Sequence, residues 1–212
     1  MEMDLDVQLR DLGEPLVAAW RDAFEAVSSV KITCGDIFSD KEGPISAGAP
    51  IDVLADAIVS PANSFGFMDG GIDAVYTYQF GPKLQERVQA IRADQHSGEL
   101  PVGQAIIVPT GNREIPWCIS APTMRTPGDV AETVNAYLAF RAALLAVLRH
   151  NQRGAPPIRS ILCPGLGTAV GRMPVERCAR QMRAAWDRVL GGKPFTPATI
   201  RAASMDEEAL LR

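Results

Sequence analysis

Apolar positions along the chain recur at two different periods, and the switches between them mark its elements. Over residues 14–27, Leu16, Val17, Trp20, Phe24 and Val27 return every three or four positions, while Arg21, Asp22 and Glu25 take the opposite side; this predicts an amphipathic helix. Shorter runs at 30–34, 57–61, 104–109, 117–121 and 158–163 predict strands, the first stopping at Gly35-Asp36 and the last at Pro164-Gly165. The run at 57–61 reads as a strand buried on both faces, as in parallel sheets covered by helices. Helical spacing returns at 72–80, 82–93, 130–150 and 174–190, the last with Pro174 at a plausible first-turn position. A short turn-rich gap separates 104–109 from 117–121, so these two strands are expected to be neighbours. Residues 39–50, rich in Gly, Pro, Ser and charge, predict a loop, 199–203 a last strand, and the residues from Ser204 a short helix or frayed tail.

Alternation of strand and helix over this length indicates an α/β fold, a three-layer α/β/α sandwich with a mixed, mostly parallel central sheet. The expected organisation is an N-terminal helical extension at 1–29, one domain at 30–203 and a tail at 204–212. At 212 residues, 47% of them hydrophobic, the chain can bury a sizeable core without metals or disulfides. Its net charge of −4 offers no broad basic field for nucleic acid. Cys34, Cys118, Cys163 and Cys178 are widely spaced and form no C-x-x-C pair, and neither His96 nor His150 stands near one of them, so reduced core cysteines and no metal site are expected. With no basic leader and no bilayer-length apolar run, the expected location is cytoplasmic, with no membrane partner.

Ligands of open α/β sheets bind beyond the carboxyl ends of the strands. Three such ends carry polar or glycine-rich sequence: Gly35-Asp36 after the first predicted strand, the stretch from Asn63 to Asp73 after the second, and Gly165 to Gly171 after a late one. Singly, each has a structural reading. Asp36 and Asn63 suit turns, Gly70-Gly71 a tight bend, and Asp73 the positive end of its own helix. Together they converge on a phosphate-bearing ligand, because glycines let backbone N–H groups approach an anion closely and a helix start near Ile72 favours the same charge.

Read in order, Gly35-Asp36-Ile37, then Ala57-Ile58-Val59 running into Ser60-Pro61-Ala62-Asn63, then Gly70-Gly71-Ile72-Asp73, and finally Pro164-Gly165-Leu166-Gly167-Thr168-Ala169-Val170-Gly171 resemble the macro domain family over roughly residues 31–190. The resemblance implies ADP-ribose as ligand, with Asp36 and the adjoining Ile37 at adenine, Asn63 at the distal ribose, and Gly66, Gly70, Gly71 and Ile72 along that ribose and part of the diphosphate. It further implies that the backbone of Gly165, Leu166, Gly167, Thr168, Ala169, Val170 and Gly171 wraps the phosphates. Asp73 stands ten positions after Asn63, as in family members that hydrolyse mono-ADP-ribose from acidic side chains. That likeness implies a catalytic pair in which Asp73 handles water and Asn63 fixes the ribose, with no organic cofactor.

The chain departs from the family pattern in three places. Ser60-Pro61-Ala62-Asn63 replaces the usual Asn-Ala-Ala-Asn, Phe67-Met68-Asp69 interrupts the glycine run, and Ala169-Val170-Gly171 removes an aromatic that often covers the distal ribose. Gly171 also stands where the lysine-dependent branch has an aspartate, and 106–109 supplies no lysine, so that mechanism is disfavoured. The expected function is binding of ADP-ribose with hydrolysis of a mono-ADP-ribose adduct; the alternative is a reader that binds without turnover. Arg125, Thr123 and Asp69 are secondary polar candidates whose commoner reading is a solvated loop residue, and Ser64 and Thr168 are candidate phosphate donors with no adjacent His to make either a nucleophile.

Overall fold

The runs at 30–34, 57–61, 104–109, 117–121 and 158–163 each contribute a strand to one sheet. The computed structural model describes residues 5–40, 51–154 and 156–212; most of the expected 39–50 loop lies outside the described residues. In chain order the elements are β1 (Asp6–Asp11), α1 (Glu14–Phe24), β2 (Val30–Cys34), β3 (Ala57–Ser60), α2 (Gly71–Phe80), α3 (Lys83–Gln95), β4 (Ile106–Pro109), β5 (Trp117–Ser120), α4 (Asn135–Gln152), β6 (Ser160–Cys163), α5 (Val175–Val189) and α6 (Ile200–Leu211). The strands lie in the order β2-β1-β6-β3-β5-β4. Every pairing is parallel except β4 with β5, the two strands joined by the short turn.

Side-chain alternation along the inner strands divides the interior into two layers. Val7, Leu9, Ala57, Val59, Ile161 and Cys163 point to a core shared with Leu16, Val17, Trp20 and Phe24 of α1, with Ala139, Phe140 and Leu144 of α4, and with Cys178 and Met182 of α5. Ile58, Cys118 and Leu162 point the other way, onto Tyr76 of α2 and Leu84 and Val88 of α3. The protein is therefore an α/β/α sandwich with a mixed, mostly parallel sheet. Cys118, Cys163 and Cys178 are buried thiols, whereas Cys34 is exposed.

Two elements differ from the sequence expectation. Residues 6–11 form an interior strand, paired with both β2 and β6, so the N-terminal segment contributes a strand as well as α1 to the layers. Its period-two pattern of Val7 and Leu9 is masked by Arg10, which is 4% exposed because its guanidinium is satisfied inside the protein. The strand expected at 199–203 is instead the start of α6: the Thr199 side chain accepts a hydrogen bond from the Ala202 N–H (3.1 Å) and caps the helix. Gln181 of α5 anchors α6 by donating from Nε2 to the Leu210 carbonyl (3.2 Å).

Candidate functional site

Strands β1, β6 and β3 are consecutive in the sheet and mutually parallel, so their carboxyl ends share one edge. The segments leaving these ends enclose a cleft of about 420 Å³. One wall is the loop from β3 to α2, contributing Asn63, Phe67, Asp69, Gly70, Gly71, Ile72 and Asp73; the other is the loop after β6, contributing Gly165, Gly167, Thr168, Ala169, Val170 and Gly171. Thr123 and Met124, beyond β5, close a third side, and Asp11 enters from β1.

Asp73 lies in the first turn of α2, a position that turns its carboxyl back toward the strand it follows. Ser60, at the end of β3, donates from Oγ to Asp73 Oδ1 at 2.6 Å. One turn further along α2, the Tyr76 hydroxyl donates to the Val59 carbonyl (3.1 Å), so the same helix face is fixed to β3 twice. Only 6% of Asp73 is exposed. Burial pushes its carboxyl up to about 7, with the Ser60 hydrogen bond pulling the other way. A buried acid that changes charge near neutrality, on the wall of a cleft, has the properties of a proton-transfer group.

Asn63 also lines the cleft, yet its amide is used within its own loop. Oδ1 accepts from the N–H of Phe65 (3.0 Å) and of Phe67 (3.3 Å), and Nδ2 donates to the Phe67 carbonyl (2.8 Å). The side chain thus replaces the backbone hydrogen bonds that an irregular loop cannot make for itself.

The glycines divide into two kinds. A Cβ at Gly70 or Gly71 would meet nothing within 4 Å, and Gly71 opens α2 at φ +55, so these residues leave space on the cleft wall and supply an unusual backbone bend. In the second loop the same atom would collide: at Gly165 with Thr168 Oγ1 (2.5 Å) and Leu16 (2.6 Å), and at Gly171 with the Gly167 carbonyl oxygen and Val130 Cγ2, both at 2.5 Å. Val130 N–H donates to the Gly171 carbonyl (2.8 Å), tying this loop to the segment that leads into α4. The second loop needs glycine to pack, and the first has glycine where open space remains.

Four of the expected residues do not line the cavity. Gly66 presses on α3, where a Cβ would lie 2.8 Å from Val88 Cγ1. The side chains of Ile37 and Leu166 are buried in the two cores. Asp36 stands in a turn beyond β2, its Oδ1 accepting from Phe38 N–H (2.8 Å) and its carbonyl accepting from Arg10 Nε (2.5 Å). Arg10 further donates to Thr33 Oγ1 (3.0 Å) and the Ser39 carbonyl (2.9 Å) and pairs with Asp40 (2.8 Å), so β1 fixes the whole turn. Arg125 is held by Glu99 (2.7 Å) and lies 5.0 Å over the Phe65 ring, which makes it a brace for the first loop.

Asp11 is a polar cleft residue that sequence reasoning missed. Its Oδ1 accepts from Gly13 N–H (2.8 Å) and its Oδ2 from Gly165 N–H (3.2 Å), so one carboxylate joins the start of α1 to the second loop. The available signal was its place two residues after Leu9 in the alternation Val7, Leu9, Asp11, at the end of a strand.

A three-layer sandwich with a partly glycine-lined cleft beyond the carboxyl ends of parallel strands belongs to the class of α/β proteins that take a small molecule at the sheet edge. The chain is a member of the macro domain family: the Macro domain model matches residues 59–182. A protein of Aeropyrum pernix is 34% identical over 80% of this chain and 82% of its own length. A macro domain-containing protein of Streptomyces coelicolor is 31% identical over 59% of this chain and 71% of its own length. Among solved structures, a mutant Oceanobacillus iheyensis macrodomain with ADPR matches with a TM-score of 0.54 at 20% identity, covering 74% of this chain and 84% of that one, a likeness of fold. Among the described residues no helix is long and apolar enough to cross a membrane.

Proposed function

We propose that the cleft binds ADP-ribose and that Asp73 catalyses hydrolysis of a mono-ADP-ribose adduct. Membership of the macro domain family and the two loops converging on one cleft support the binding half. A single observation carries the catalytic half: the cleft wall holds a buried carboxyl group pushed up to about 7. In its ionised form Asp73 takes a proton from a water as that water's oxygen bonds to the anomeric carbon. The bond from that carbon to the adduct oxygen breaks, and the departing group is protonated from solvent. Ser60 holds Oδ1, leaving the second carboxyl oxygen for the water. The open backbone at Gly70 and Gly71 suits close approach of the diphosphate to N–H groups at the start of α2.

Calorimetric titration with ADP-ribose tests binding; no heat above dilution at millimolar ligand ends the proposal. Release of ADP-ribose from a mono-ADP-ribosylated protein tests catalysis. The rate is expected to rise with pH through about 7, and Asp73→Asn is expected to abolish release while retaining affinity. Equal release by both proteins removes Asp73 from the chemistry.

A second reading, a reader that binds without turnover, is favoured by Asn63. Its amide spends three hydrogen bonds inside its own loop, which leaves little of it for ribose hydroxyls. Binding without release by the wild-type protein establishes this reading.

A further inference from the structure

The first loop departs from a plain glycine turn at Phe67, and three anchors fix where that residue goes. On one side, Gly66 lies so close to α3 that a Cβ would meet Val88 at 2.8 Å. On the other, Met68 is buried, its N–H donating to Gln85 Oε1 (2.7 Å) and its carbonyl accepting from Thr77 Oγ1 (2.8 Å). Between them, the N–H and carbonyl of Phe67 are both bonded to the Asn63 side chain. Phe67 lines the cleft and is 54% exposed.

A large apolar ring fixed half-exposed on a pocket wall, two loop positions from Asp69 and six from Asp73, is a surface for the apolar face of a ligand group. Among the residues the second loop brings to the same cleft, the largest apolar side chain is Val170, 52% exposed, and none is aromatic. We infer that Phe67 is the platform on which the distal ribose of ADP-ribose rests, and that the Asn63 amide is a positioning group that holds this platform. The inference rests on the ADP-ribose reading and assigns the first loop the aromatic contact that the second loop lacks. Adenine and the first ribose lie elsewhere in this arrangement, so a ligand without the distal sugar does not use Phe67.

The test is calorimetry with ADP-ribose and with ADP on wild type, Phe67→Ala, Phe67→Leu and Phe67→Tyr. Melting temperatures serve as the check that each variant is folded. For ADP-ribose, Phe67→Ala and Phe67→Leu are expected to raise Kd by about threefold to tenfold, the range that one aromatic contact carries. Phe67→Tyr is expected to stay within about twofold, because it keeps the ring. For ADP all four proteins are expected to bind alike. Equal weakening of both ligands, or unchanged ADP-ribose affinity in the folded Leu variant, overturns the inference while leaving the ADP-ribose reading intact. Absence of ADP-ribose binding by the wild type overturns both.

Discussion

Replacing Asp73 by asparagine is expected to stabilise the protein, and to do so only at pH values where the aspartate of the unfolded chain is ionised. Moving the carboxyl from its ordinary 3.8 to about 7 costs the charged form about 4 kcal/mol relative to the protonated one. Between these two values the folded protein keeps a proton that the unfolded chain has released. The favourable contribution is therefore fully present below pH 3.8 and is lost progressively as pH rises toward about 7, above which the penalty is constant. Asparagine has nearly the same shape, can accept the Ser60 hydrogen bond through its carbonyl, and never ionises.

The assay is urea unfolding of wild type and Asp73→Asn at pH 8 and pH 4.5. At pH 8 the variant is expected to be more stable by about 4 kcal/mol, and a urea slope of roughly 2–3 kcal/mol/M makes this a midpoint shift of roughly 1.5–2 M. At about pH 4.5 the gap shrinks to about 1 kcal/mol. Titration of other groups cancels in the difference between the two proteins. A gap that is the same at both pH values, or a wild type more stable at pH 8, refutes the claim that burial of a charge governs this site. The same substitution is the one expected to abolish release, so stability gained and activity lost would come from one atom exchange.

Arg10→Ala removes the guanidinium that holds the Asp36 and Ser39 carbonyls, and chemical denaturation is expected to show a loss of about 1–3 kcal/mol from the acceptors left unpaired, the exposed Asp40 adding little. Gly171→Ala is expected to cost about 1–3 kcal/mol, because its Cβ would sit 2.5 Å from the Gly167 carbonyl oxygen. Gly70→Ala, whose Cβ meets nothing within 4 Å, is expected to stay within about 0.5 kcal/mol of wild type while weakening ADP-ribose in calorimetry; the opposite pattern for the two glycines would reverse the roles given to the two loops. Asp11→Ala is expected to cost about 1–3 kcal/mol and to speed hydrogen exchange at the Gly165 amide, which loses its acceptor.

Local pattern was enough for the elements whose burial is uniform. Strands β3 and β6 each carry three consecutive apolar residues, Ala57-Ile58-Val59 and Ile161-Leu162-Cys163, because helices cover both faces, and α1 shows its stripe because only one face is covered. Legibility failed where a polar group is buried or a capping group sits among β-branched residues. Arg10 hid β1, since a buried arginine reads as a solvent-facing position until its partners in the Asp36 turn are known. At 199–203, Thr199 and Ile200 suggested a strand, whereas the threonine hydroxyl opens a helix. At the cleft, the loops from Asn63 to Asp73 and from Gly165 to Gly171 are paired by their place after predicted strand ends and by the family resemblance. The place of Asp36 could not be read this way, because it is set by β1, an element absent from the sequence reading.

Glycine-rich loops invite one explanation, and here the two loops need different ones. In the second, glycine is demanded by protein atoms: Thr168, Leu16, Val130 and the Gly167 carbonyl occupy the space a side chain would take. That loop is a fixed wall, braced by Asp11 from β1 and by Val130 from the approach to α4. In the first, Gly70 and Gly71 border empty space, while Phe67 and Asp73 bring an aromatic ring and a buried acid to the same wall. Side chains that select a ligand belong on the wall with room for one, so specificity and chemistry are expected to change with substitutions between Asn63 and Asp73. Substitutions of Gly165 and Gly171 act first on stability.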